Sequence, residues 1–310
     1  MKWFLLALFL VPAIYVHFRG RVRYNPFRQL GDHSTIFAPL NLFMYAFSRV
    51  HAHPYLPASE LAGMDKLRAH WKEIRDEALA LRSAHEIKAS NQYNDVGFNS
   101  FFRFGWKRFY LKWYGEPLAS AQALCPKTVE LLNAIPGIKA AMFATLAPNS
   151  KLNPHRDPFA GSLRYHLGLI TPNSRDCRIF VDGEEHAWGD GKDVVFDETF
   201  VHWVENKTDQ TRVILFADVE RPLRTRWMSA INHRVGAFMG KITASPNSDT
   251  GTEKTGFVNR LYAWSQRKGA MHQWKAAFKR RHKKLYKAGK YVGILVLLWL
   301  IFLAPWPLLR

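Results

Sequence analysis

The chain has 310 residues, 48% of them hydrophobic, and a formal charge of +19 from 44 Lys and Arg against 25 Asp and Glu. That length allows one good-sized domain with accessory segments and excludes two large ones. The basic excess calls for an anionic partner, whether nucleic acid, phospholipid or a phosphorylated substrate. The only two cysteines, Cys125 and Cys177, form no CxxC, which excludes a zinc ribbon or dithiol centre and leaves two buried, reduced thiols as the expectation.

Residues 3–16, WFLLALFLVPAIYV, carry no charge and run straight into Arg19, Arg21 and Arg23 without a small-x-small cleavage site. They read as a retained N-terminal membrane anchor (1–18), slightly short for the ~20 residues of a spanning helix. Helical periodicity follows over 58–90, where Leu61, Met64, Leu67, Trp71, Ile74, Ala78 and Leu81 recur every three or four residues, and again briefly over 127–134. From 138 the texture becomes short β-branched and aromatic runs (IKAAMFATL, LRYHLGLIT, CRIFVDG, VVFD, TRVILFADV) punctuated by turn clusters. Such a series predicts a mainly β domain with flanking helices, an antiparallel sandwich or jelly roll with core at about 138–222, inside a domain spanning 19–240.

Residues 241–256 read as a polar linker. Residues 267–290 hold ten Lys and Arg and no acid, and precede a second apolar stretch, 291–309, read as a C-terminal transmembrane helix with Trp299 and Trp306 at an interface. Basic flanks at both apolar ends orient the middle of the chain to the cytoplasm and attract anionic phospholipid head groups. Because the basic residues cluster beside a membrane span, nucleic acid is not expected as a partner, and no protein partner is predicted.

The chemistry concentrates in HRD (155–157), LRYHLGL (163–169), His202 and Arg212. His155 and Asp157 are i and i+2, so in an extended segment they share a side, and His202 arrives from a distant strand. Two imidazoles and one carboxylate suit Fe(II), occupying one face of an octahedron and leaving positions for co-substrate and O2. Arg212, in an otherwise apolar strand, needs an anionic partner, and a small dicarboxylate that also chelates iron, 2-oxoglutarate, answers that need. The alternative is an arginine facing solvent or pairing with Asp218 or Glu220. On the polar face of LRYHLGL, His166 is assigned to the 2-oxoglutarate carboxylate and Arg164 to an anionic part of the substrate, against a core histidine and a surface arginine.

In order and spacing, CPKTVELLNAIPG (125–137), LAPNSKLNPHRD (146–157), LRYHLGL, FDETFVHWVEN (196–206) and RVILFADVERP (212–222) resemble the aspartyl/asparaginyl β-hydroxylase family. The resemblance implies a double-stranded β-helix with Fe(II) and 2-oxoglutarate chemistry, His155 and His202 as iron ligands, and His166 and Arg212 on 2-oxoglutarate. Two departures stand out. Asp157 is present where some animal peptide hydroxylases lack the carboxylate, and Ala144 stands where those members have a co-substrate-binding serine.

The layout of the whole chain, through HFRGRVR (17–23), DHST (32–35) and HRDPFAGSLRYHLGL (155–169), resembles the bacterial lipid A 2-hydroxylases. That implies hydroxylation at C2 of a secondary acyl chain of lipid A, at the cytoplasmic face of the inner membrane. Ornithine-lipid acyl hydroxylation and peptidyl Asp/Asn hydroxylation keep the same chemistry on another substrate. A non-catalytic membrane-tethered binding domain is the reading from a different class.

Overall fold

The computed structural model describes residues 2–90, 92–248, 253–267, 274 and 277–302. After helix α1 (Lys2–Phe18) come three short helices, α2 (Pro26–Leu30), α3 (His33–Ile36) and α4 (Ala38–Ala46). Strand β1 (Tyr55–Leu56) precedes α5 (Met64–Ala69) and α6 (Trp71–Ser83), so the periodic stretch beginning at 58 is two helices, broken at His70. Then follow α7 (Asn99–Phe102), β2 (Trp106–Trp113), α8 (Ala119–Leu124) and α9 (Pro126–Asn133).

The strands β3 (Ile138–Leu146), β4 (Ser150–His155), β5 (Ser162–Ile170), β6 (Cys177–Val181), β7 (Glu184–Ala187), β8 (Asp193–Phe196), β9 (His202–Asn206) and β10 (Arg212–Glu220) run nearly without interruption. Helices α10 (Arg226–Thr243), α11 (Phe257–Arg267) and α12 (Lys283–Phe302) close the described chain.

The strands form two antiparallel sheets, a six-stranded one ordered β1-β8-β5-β10-β3-β2 and a four-stranded one ordered β4-β9-β6-β7. The strand alternation expected from sequence sorts the side chains into two layers. Leu163, Tyr165, Leu167 and Leu169 of β5 and Val213, Leu215, Ala217 and Val219 of β10 pack outward against α5, α6 and α9. Ile214 and Phe216 pack inward with Ile179, Val204 and Trp188, between the sheets. The space between the sheets is the jelly-roll interior, and its polar residues come from the same inward positions.

Asn153 and Pro154, just ahead of the HRD motif, lie inside β4. The register shifts there between Leu152 and His155. Proline is tolerated because β4 is the edge of its sheet and the irregularity removes the need for its N–H. Gly168 sits where the carbonyl of Gly189 packs against its Cα, leaving no room for a Cβ and letting the loop after β7 close onto β5.

The ends differ from the sequence expectation. Among the described residues no helix is long and apolar enough to cross a membrane. Helix α1 has 17 residues and its last turn is not free: Val16 and the following Arg19 are buried in the domain. The first third of α12 is basic, with Lys283, Lys284, Lys287 and Lys290, and residues 303–309 of the second expected span lie outside the described residues. What the described part of α1 shows is an apolar helix, exposed at Trp3, Phe4, Leu8, Val11 and Ile14, docked by its C-terminal end.

The stretch from 241, read as a linker, is ordered where it begins. Asn247 bonds both the N–H and the carbonyl of Tyr110 in β2, at 2.7 Å each, and Ser245 accepts from Arg108 at 3.1 Å. Cys125 and Cys177 are both buried and free.

Candidate metal centre

His155 ends β4 and His202 begins β9, directly opposite in the register of the smaller sheet, with ring centroids 4.2 Å apart. Asp157 follows two residues after β4, its N–H bonded to the carbonyl of Glu198 at 2.9 Å. One donor atom from each of His155, Asp157 and His202 lies within 4.8 Å of the others, close enough to share one ion.

Hydrogen bonding prepares both imidazoles for that role. His155 Nδ1 donates to the carbonyl of Asn153 at 2.8 Å and His202 Nδ1 to that of Phe200 at 3.0 Å. With the proton fixed on Nδ1, each Nε2 lone pair is free for a metal. Burial and the neighbouring His155 push His202 down to about 3, and burial lowers His155, so both rings are neutral as ligands must be. Burial pushes the Asp157 carboxyl up, but the Arg164 guanidinium beside it outweighs burial and holds the group well below the usual carboxylate range.

The larger sheet supplies the opposite wall. Arg212, 2% exposed, has its guanidinium 4.3 Å over the Trp188 ring, and among the described residues no carboxylate lies within ion-pair reach and Nε has no hydrogen-bond partner. Burial alone pulls it down to about 10, on the order of 3 kcal/mol of uncompensated charge burial. The alternative partners considered for it are not used: Asp218 bonds Arg164 and Glu220 pairs with Lys139. His166 is also buried, both ring nitrogens lack a partner, and burial with the nearby Arg164 and Arg212 drives it well below its ordinary value. Two adjacent buried polar groups, one cationic and neither satisfied, fit a small anionic ligand in the same cavity as the His-Asp-His cluster. These residues therefore fit iron and a dicarboxylate.

Arg164 departs from its sequence assignment. Its guanidinium is taken by carboxylates of the chain itself: Asp157 at 2.7 Å, Asp218 at 2.8 Å, and Glu198. The sequence reading saw its face correctly and missed its partners, because Glu198 and Asp218 lie 34 and 54 residues away. Ala144 lies buried on the inward face of β3 and offers no hydroxyl.

Residues the sequence reading did not single out complete the cavity. Phe98, Phe101 and Trp106 wall one side, with Phe101 4.8 Å from His155 ring to ring. The run FNSFFRFGW (98–106) was the signal: apolar aromatics at no regular period, more than a four-residue helix can bury. Behind the metal cluster, Arg156 donates to the carbonyls of Val16 at 2.6 Å and Arg19 at 3.5 Å at the end of α1. Arg19 in turn bonds Asp197 at 2.6 Å and Thr199 at 2.8 Å, just ahead of His202. The N-terminal helix is thereby bound to both metal-ligand segments.

The curated relatives this chain matches are named as hydroxylases. The model of the aspartyl/asparaginyl beta-hydroxylase family matches residues 68–222. The chain is 40% identical over 121 residues to an ornithine lipid ester-linked acyl 2-hydroxylase of Rhizobium tropici, covering 39% of this chain and 43% of that protein. It is 29% identical over 187 residues to the human aspartyl/asparaginyl beta-hydroxylase, covering 58% of this chain and 24% of that one. The chain thus spans less than half the length of these curated relatives. Among solved structures, a Pseudomonas putida prolyl-4-hydroxylase aligns with a TM-score of 0.33 and 20% identity, over 50% of this chain and 88% of that one. The family match runs from α5 to the end of β10 and takes in every residue of the cluster and of the pocket facing it; the chain belongs to the aspartyl/asparaginyl β-hydroxylase family.

Proposed function

We propose that this chain is an Fe(II)- and 2-oxoglutarate-dependent hydroxylase that inserts oxygen at C2 of an acyl chain of a membrane lipid, a secondary acyl chain of lipid A, at the cytoplasmic face of the inner membrane. One observation carries the chemistry: the His155, Asp157 and His202 cluster shares its cavity with the unpaired, buried Arg212. Iron, when bound with 2-oxoglutarate, supplies the activation of O2 that hydroxylation of an unactivated carbon requires.

The protein's own residues do the rest. His155 and His202 present Nε2 and Asp157 a carboxylate oxygen to the metal. Arg212, braced on Trp188, takes the far carboxylate of 2-oxoglutarate, and His166 meets its near end. Phe98, Phe101 and Trp106 receive an apolar chain and keep water from the reacting carbon.

A lipid substrate is supported by that aromatic wall, by the named activity of the Rhizobium tropici relative, and by the exposed apolar side chains of α1 beside a strongly basic chain. Peptide hydroxylation is disfavoured because Arg164, the cation nearest the cluster, already has Nε and Nη2 on carboxyl groups of the chain itself. Ornithine lipid is the second reading, favoured by the same relative.

Mass spectrometry of lipid extracts from cells with and without the gene decides between them. An added oxygen on a lipid A acyl chain is the expected result. The same oxygen on ornithine lipid moves the activity to that substrate, and its absence from both overturns the lipid reading. A non-catalytic binding domain predicts no Fe(II)-dependent succinate formation at all.

A further inference from the structure

Of the two buried arginines that face the cavity, Arg212 has no carboxylate partner among the described residues and Arg164 has three. We propose that Arg164 is a positioning residue for metal binding: it holds Asp157 so that one carboxylate oxygen faces the two imidazoles while the other is fixed to the guanidinium. This rests on the reading of His155, Asp157 and His202 as the metal site.

The division of the carboxylate is explicit in the geometry. Asp157 Oδ2 accepts from Arg164 Nη2 at 2.7 Å, and Oδ1 lies 3.9 Å from His155 Nε2. Asp157 sits beyond the end of β4 with no ladder partner, tied by its N–H to Glu198, so the backbone leaves its side-chain torsions open. A charge-assisted bond to a fixed guanidinium closes them.

Arg164 is itself fixed on every side. Its Nε donates to Asp218 at 2.8 Å, Nη2 also meets Glu198, and the Phe216 ring lies 3.7 Å below the guanidinium. The carboxylates that hold it are held in turn, Asp218 by Tyr114 Oη at 3.1 Å and Glu198 by Ser162 Oγ at 2.7 Å. With Nε and Nη2 both engaged, no bidentate fork remains for an anionic group of a substrate.

The test is an anaerobic Co(II) titration of the metal-free full-length chain, reading affinity and the visible d–d absorption, with no substrate present. Arg164→Met is expected to weaken Co(II) binding by about 10- to 100-fold and to change the spectrum, as loss of a residue that orients a ligand does. Arg164→Lys recovers part of both. In an Asp157→Ala background Arg164→Met adds nothing, because the route through which it acts is gone.

Circular dichroism checks each fold. If Arg164→Met does not fold, the same titration on Arg164→Met with Glu198→Gln and Asp218→Asn, which leaves no bare buried carboxylates, gives the answer. Wild-type affinity and spectrum in a folded variant without Arg164 overturn the proposal, as does an effect confined to the KM of the lipid substrate. If Asp157→Ala itself binds Co(II) like wild type, the metal-site reading fails instead, so the two failures are separable.

Discussion

Arg164 and Arg212 lie on neighbouring antiparallel strands, β5 and β10, and face the same cavity, yet their surroundings are opposite. Arg164 has three carboxylates around it and is raised above its ordinary value by Asp218, Glu198 and Asp157 against the opposing effect of burial. Arg212 has an indole beneath it and no carboxylate within reach among the described residues, and burial lowers it. One end of the cavity gathers more carboxyl groups than its one guanidinium can neutralise, and burial holds Glu198 and Asp218 above their ordinary range; the other end holds a cation with no carboxylate in reach among the described residues. A buried charge without partners marks a candidate binding site.

The contrast can be broken at several strengths. The largest effect belongs to the end that holds the His-Asp-His cluster. Asp157→Ala, His155→Ala or His202→Ala should abolish Fe(II)-dependent succinate formation from 2-oxoglutarate, and turnover in any of them dissolves the cluster as the centre. At the other end, Arg212→Met should raise the KM for 2-oxoglutarate on the order of 10²- to 10³-fold, the cost of leaving one carboxylate unpaired in a buried site. An unchanged KM would mean the co-substrate is not held there.

Stability should move in opposite directions at the two ends. Arg164→Met strands three buried carboxylates and should lose about 3–5 kcal/mol in denaturant unfolding, whereas Arg212→Met removes an unpaired buried charge and should leave the metal-free protein as stable or more so. Equal losses would erase the distinction.

The smallest effect is on pH. His166 and His202 are buried neutral, their values in the folded chain lying below the ~6.5 of an unfolded imidazole. Their contribution is fully present above pH 6.5 and is lost as pH falls toward the folded values, about 2 kcal/mol for His202 between pH 6.5 and 5. The melting temperature of the metal-free protein should therefore fall over that window, and His166→Gln should flatten the slope.

Much of this was legible before any coordinates. His155 and Asp157 two apart, His202 on a strand of its own, and the two faces of LRYHLGL with Arg164 and His166 on the polar side all follow from period-two geometry, and the structure places them so. The strands β1, β2, β4 and β7 were not read as strands, and β9 was read only as the strand that brings His202. β1, β4 and β7 are short, β4 and β7 are partly polar, and WKRFYLKW carries charges that alternation alone does not sort. The apolar ends illustrate the limit differently: hydropathy marks residues 3–16 as lipid-like, and only the buried contacts of Val16 and Arg19 with Arg156, Asp197 and Thr199 show that the helix also belongs to the catalytic domain.

By itself the sequence put two histidines and a carboxylate forward as candidate ligands, gave the parity of His155 and Asp157, and marked Arg212 as a cation in an apolar strand, because these depend on residue chemistry and local spacing. Only the tertiary structure shows Arg164 surrounded by Asp157, Glu198 and Asp218. That depends on Glu198 and Asp218, brought beside it by β-sheet register and a loop packed on it, and long-range pairing leaves no trace in local pattern.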